Sequence, residues 1–210
     1  MKFSPSHDRQ HMNAVNEAAD DPGRNLESAA WNIHPGEWAV DDTRPIGTLL
    51  GSCVAVCLFD PVLRLGGMNH FMLPVRTRST DSEFDSLLCG DYAMEVLVNA
   101  MLTRGVRKER LVAKAFGGGN VVSLLRKSIG EGNIGFARTW LDREGIALRA
   151  SDFGGAWARK IVFDPGNGDA YCRRVDCSQP VSKQVAQAET LYENTLVSAP
   201  KTSGKAIELF

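Results

Sequence analysis

The chain has 210 residues, 43% hydrophobic and 23% charged, with 24 basic against 25 acidic side chains. A net charge of −1 supplies no bulk attraction to nucleic acid or to an anionic membrane, which argues against either as a partner. No apolar run approaches the ~20 residues of a membrane span. The N-terminus lacks the apolar core of a secretory signal, so the sequence reads as cytoplasmic, with no membrane insertion.

Residues 1–30 are rich in Asn, Asp, Ser, Ala and Gln without sustained periodicity, and read as a mobile extension. A core domain follows over 31–177. Thr48–Asp60 is an apolar run closed by the turn signal Asp60-Pro61. Strand alternation puts Cys53, Ala55 and Cys57 on one face and Val54, Val56 and Leu58 on the other, as in a strand buried between layers. Leu65–Leu73 is a second strand, closed by Pro74. Asp81–Arg104 has helical spacing at Ala93, Leu97, Ala100 and Met101, with Gly105 as its stop.

Leu111–Phe116 reads as a strand running into Gly117-Gly118-Gly119. Asn120 caps a short helix through Lys127, and Asn133–Glu144 forms another that ends at Gly145. Ile146–Ser151, Arg159–Phe163 and Ala170–Val175 are strands, the last two joined by a hairpin turn at Pro165-Gly166-Asn167-Gly168. Residues 178–210 are a polar tail in which Val181, Val185, Ala188 and Tyr192 outline one weak helix. Interleaved helices and hairpins point to an α+β domain with mixed sheets.

Five cysteines, Cys53, Cys57, Cys89, Cys172 and Cys177, read as thiols rather than a disulfide framework, and none forms a C-x-x-C pair. Cys53 follows a Gly-Ser turn at the start of a buried strand. It is either a small packed hydrophobe or a nucleophile with backbone N–H groups near a developing oxyanion. His70 lies on the next strand. It is either a core histidine satisfied by a carbonyl, or an imidazolium that stabilises a Cys53 thiolate. His7 and His11 fall in the extension and His34 in a loop. Gly117-Gly118-Gly119 fits no nucleotide-binding pattern and reads as a tight turn with close backbone packing. Asp152-Phe153-Gly154-Gly155 reads as a turn that lets two sheets approach, and Arg159-Lys160 as a solvated strand edge.

Taken in order, Gly51-Ser52-Cys53-Val54-Ala55-Val56, Asp60-Pro61, Asn69-His70-Phe71-Met72-Leu73-Pro74 and Gly90-Asp91-Tyr92-Ala93-Met94-Glu95 resemble the chemoreceptor glutamine deamidases (CheD) of bacterial chemotaxis. Phe116-Gly117-Gly118-Gly119, Asn133-Ile134-Gly135 and Asp152-Phe153-Gly154-Gly155 extend the likeness. The resemblance implies a layered α/β/β sandwich like the catalytic domain of cytotoxic necrotising factor. It also implies a catalytic Cys53–His70 pair supported by a threonine, and no metal or organic cofactor. Thr48 is the best hydroxyl for that role, although some relatives carry the threonine one place earlier, where Gly47 stands here. An arginine expected after Asn133-Ile134-Gly135 is replaced by Ala137, with Arg138 next. The implied activity is hydrolysis of receptor glutamines to glutamate through a thioester. Chemoreceptor cytoplasmic domains would be the substrate and a chemotaxis phosphatase a further candidate partner. The alternative is a non-catalytic module that docks on the phosphatase or the receptor.

Overall fold

The computed structural model describes residues 22–73, 86–120, 124–176 and the isolated position 187. Its helices are α1 (Pro22–Ala29), α2 (Gly90–Thr103) and α3 (Leu124–Arg143). Its strands are β1 (Trp31–Asn32), β2 (Trp38–Asp41), β3 (Ile46–Leu50), β4 (Val54–Asp60), β5 (Leu65–Phe71), β6 (Val112–Gly117), β7 (Ala147–Phe153), β8 (Ala158–Phe163) and β9 (Ala170–Val175). Two mixed sheets result, one ordered β1-β3-β8-β9 and the other β2-β5-β4-β6-β7. β1 runs parallel to β3 and β6 parallel to β7, and the other pairings are antiparallel.

The two faces of β4 explain the layering. Val54, Val56 and Leu58 pack with Ala93, Met94, Leu97 and Met101 of α2 and with Ala137, Trp140 and Leu141 of α3. Cys53, Ala55 and Cys57 look the other way, into a second core shared with Ile46 and Leu50 of β3 and Ile161 and Phe163 of β8. The five-stranded sheet is therefore the middle layer, with helices on one side and the four-stranded sheet on the other. An apolar residue at every position of β4 before the closing Asp60 is what a strand buried on both faces requires. The expected α/β/β arrangement of an α+β domain is what the chain adopts.

Several expectations change. The apolar run Thr48–Asp60 is not one strand: it breaks at Gly51-Ser52-Cys53, and its halves belong to different sheets. Gly51 lets the chain bend there, and hydrophobicity alone cannot mark a crossing between two layers that are both apolar. The short helix and the helix at Asn133 are one 20-residue helix, α3, running through Gly130, Gly132 and Gly135. Gly130 is used for close approach, since a Cβ there would lie 2.7 Å from the Gly118 carbonyl oxygen. β5 ends at Phe71, two residues before the expected limit. Of the helix expected over Asp81–Arg104, α2 forms Gly90–Thr103, and residues 81–85 lie outside the described residues. Arg159 is not a solvated edge residue but is fully buried.

Other local readings hold. Gly105 follows α2 at φ +88° and Gly145 follows α3 at φ +69°, the left-handed geometry of a helix stop. Asp164 and Asp169 close the β8–β9 hairpin through a 2.8 Å backbone hydrogen bond. By contrast, the segment read as a mobile extension is helical over Pro22–Ala29 (α1), and Glu27 ties it to Lys160 of β8 and Arg173 of β9. The expected helix around Val181–Tyr192 lies outside the described residues.

Candidate active site

The break in the apolar run creates the site. Thr48 ends up on the four-stranded sheet, Cys53 at the crossing and His70 on the middle sheet, all three almost fully buried. In β5, Gly66, Met68 and His70 face the second sheet, as shown by Met68 in the inter-sheet core and by Phe163 beside Gly66. His70 pairs in register with Ala55 of β4. Cys53, two residues earlier on the same face, is therefore its diagonal neighbour, and no hydrogen bond joins it to Nε2.

Thr48 reaches across from the opposite sheet. Its Oγ1 donates to the Ile33 carbonyl at 2.8 Å and lies 2.9 Å from His70 Nδ1. A hydroxyl has one proton, and here it is committed to Ile33, so Nδ1–H must be the donor to Thr48. That choice of tautomer leaves Nε2 as a bare acceptor, and Nε2 makes no hydrogen bond. The backbone is also anchored: Gly36 N–H donates to the His70 carbonyl, and His70 N–H donates to the Glu37 carbonyl. The loop that carries His34 is thus laid along His70. Burial first, and the nearby His34 second, push the His70 pKa down to about 3. The ring is neutral at physiological pH. Desolvation thus disfavours the imidazolium that an ion pair with a Cys53 thiolate would need.

Gly117-Gly118-Gly119 grips the nucleophile loop rather than a phosphate. Gly118 N–H donates to the Cys53 carbonyl and Gly119 N–H to the Gly51 carbonyl, both at 2.7 Å. A Cβ on Gly117 would sit 2.1 Å from the Cys53 carbonyl oxygen, so no larger residue fits.

Cys57, on the same strand face, pairs with Met68 and Lys114 in mid-sheet, and burial pushes its thiol well above the ordinary range. Cys172 is pushed up to about 11 by burial and then by the neighbouring Asp152 charge. No disulfide joins the four described cysteines.

Behind the site, Arg159 Nε and Nη2 donate to Asp152 Oδ1 at 2.9 and 2.7 Å, and Arg159 also donates to the Trp157 and Gly154 carbonyls. This pair joins β8 of one sheet to β7 of the other, so the Asp152–Gly155 segment does bring the sheets together. Two residues without an assigned role in the sequence reading stand out. Asn69 is fully buried, accepts from Val56 N–H and donates to the Ala93 carbonyl, locking β4 and β5 to α2. Asn133 is also fully buried, just beyond the Val54–Phe71 end of the same two strands. For Asn69 the available signal was an amide within a largely apolar strand.

Comparison with known proteins bears on most of the chain. Residues 72–174 match the family model described as CheD chemotactic sensory transduction. The chain is 53% identical over 191 residues to the probable chemoreceptor glutamine deamidase CheD 2 of Dechloromonas aromatica (strain RCB), covering 90% of this chain and 97% of that protein. The chain belongs to the CheD family. Two other CheD relatives match at lower identity. The probable chemoreceptor glutamine deamidase CheD of Hydrogenovibrio crunogenus (strain DSM 25203 / XCL-2) is 40% identical over 193 residues, spanning 90% of this chain and 97% of that protein. The CheD 2 protein of Burkholderia thailandensis (strain ATCC 700388 / DSM 13276 / CCUG 48851 / CIP 106301 / E264) is 40% identical over 189 residues, spanning 89% and 96%. The CheD family model match starts after Thr48, Cys53 and His70, so their individual roles rest on geometry.

Proposed function

We propose that this protein is a cysteine amidohydrolase that converts glutamine side chains of chemoreceptor cytoplasmic domains to glutamate and ammonia, in the cytoplasm. His70 Nε2 takes the Cys53 thiol proton as sulfur attacks the carboxamide carbon. Backbone N–H groups around Cys53 hold the resulting oxyanion. His70 then gives the proton to the departing NH2 group, which leaves as ammonia, and a thioester remains. Water next loses a proton to Nε2 while its oxygen attacks the thioester carbon. The sulfur leaves with the electron pair, recovers the proton from Nε2–H, and glutamate is released. Nδ1–H stays on Thr48 throughout, so the ring keeps one orientation and one tautomer.

The observation that carries this reading is the unpartnered His70 Nε2 on the face shared with Cys53, with Nδ1 already occupied by Thr48. Leaving a buried polar atom unpaired costs about 1–3 kcal/mol. A docking module gains nothing from that cost, so the non-catalytic alternative is not favoured. Intact-mass measurement of receptor cytoplasmic fragments tests the proposal. Each modified glutamine should add about one dalton, and Cys53→Ala should remove the change. Unmodified fragments after prolonged incubation with the wild-type protein would reject it.

A further inference from the structure

Asn133 joins the two segments that carry the candidate nucleophile and base. It projects from α3 and is fully buried. Its Nδ2 donates to the Ser52 carbonyl at 3.1 Å and to the Met72 carbonyl at 2.8 Å. Ser52 immediately precedes Cys53, and Met72 lies two residues beyond His70. Both partners are carbonyl oxygens, which only accept, so the orientation of the amide is unambiguous and both Nδ2 protons are used. Beyond Phe71 the strand pairing of β5 with β4 has ended. At this point Asn133 ties the crossing loop to the end of β5 through one side chain.

The other atom of the amide matters as much. Asn133 Oδ1 is buried with no hydrogen-bond partner. A residue kept only to fill space would be apolar here, because an apolar side chain has no polar atom to leave unpaired. The donor function therefore outweighs the unpaired acceptor, and what the donor does is hold Ser52 and Met72 in fixed relation. We infer that Asn133 is a positioning residue that sets the alignment of the Cys53 thiol with His70 Nε2 by clamping the two segments that bear them. The inference rests on the Cys53–His70 reading above and adds to it a residue that touches neither reacting atom. Misplacement of reacting groups by about 1 Å costs on the order of a hundredfold. A clamp at this point is where such a displacement would begin.

The test is the rate of Cys53 alkylation against pH in the full chain, read by peptide mass so that the other thiols are distinguished, with thermal unfolding measured alongside. Asn133→Ala should slow alkylation near neutral pH by roughly ten- to a hundredfold. Asn133→Ser, whose shorter side chain keeps one donor, should fall between Asn133→Ala and wild type. Combined with His70→Ala, Asn133→Ala should add no further slowing, since there is no base left to align. A purely structural residue would give the opposite pattern, with the same factor whether or not His70 is present. That additive result, or an unchanged rate in the folded Asn133→Ser and Asn133→Ala variants, overturns the inference while leaving the Cys53–His70 site intact. If Asn133→Ala does not fold, Asn133→Ser and its combination with His70→Ala decide. Unchanged Cys53 titration in His70→Ala alone overturns both the inference and the site, a result that the Asn133 variants cannot imitate.

Discussion

Two buried polar clusters bridge the sheets, and they are satisfied to different degrees. In the Asp152–Arg159 cluster all three guanidinium nitrogens donate, and Asp152 also receives Arg174. The charges hold the Asp152 carboxyl below its usual range, against the opposing effect of its burial. In the Thr48–His70 cluster one ring nitrogen is fixed and the other is left open. A cluster that only joins layers saturates its groups, because every unpaired one lowers stability. A cluster meant to move a proton keeps an atom available.

The largest expected effect tests the open cluster. Cys53→Ala should abolish deamidation with unfolding unchanged, whereas replacing Cys57, Cys89, Cys172 and Cys177 together should leave turnover measurable. Activity in Cys53→Ala would erase the contrast between the clusters. His70→Ala comes next, with an expected loss of about 10²- to 10⁴-fold in kcat, the range for a general acid–base.

The saturated cluster should answer in stability instead. Arg159→Met leaves Asp152 without its buried partner, and breaking such a pair costs about 3–5 kcal/mol. Asp152 is partly exposed and keeps Arg174, so the lower end, roughly 3 kcal/mol by denaturant unfolding, is expected. If Arg159→Met instead removed activity at unchanged stability, the cluster would belong to the catalytic machinery. Thr48→Val should lower kcat by about tenfold, less than loss of the base, because the ring remains and only its orientation and tautomer are freed.

The last effect is in acid. The His70 pKa is near 6.5 when unfolded and pushed down to about 3 when folded, so below 6.5 the unfolded chain binds a proton that the folded one refuses. Stability is therefore complete above pH 6.5 and falls as the pH drops towards 3, by at most about 1.4 kcal/mol per pH unit. Asp152, Asp41 and Glu144, with depressed carboxyl values, add their own losses below about pH 4.5. The window from 6.5 to 4.5 isolates the histidine. His70→Gln should flatten the curve of unfolding free energy there, and a slope that persists would mean the ring is charged in the folded protein.

Local features of the sequence were read well where the residue itself sets the backbone or the period. Gly105, Gly145 and the Pro165–Gly168 turn stop or reverse the chain because few residues other than glycine take those dihedrals at low cost. The alternation through β4 identified two opposite apolar faces, and the faces enter two different cores as a doubly covered strand must. The Gly51-Ser52-Cys53 and Asn69-His70 segments pointed to a thiol and an imidazole worth pairing. Glycine within α3 misled, because the same residue that ends a helix also permits close approach inside one.

By itself the sequence determined the composition of the layers, the turn positions and the family resemblance, all of which depend on residue type and local spacing. Only the tertiary structure decided that the apolar run crosses between sheets, so that Thr48 faces His70 from the opposite layer. It also decided that Arg159 lies inside, that His70 is neutral, and that Asn133 links Ser52 to Met72. Each of these depends on which distant group lies across a few ångströms of low-dielectric interior. Burial and a long-range hydrogen bond leave no periodic mark along the chain.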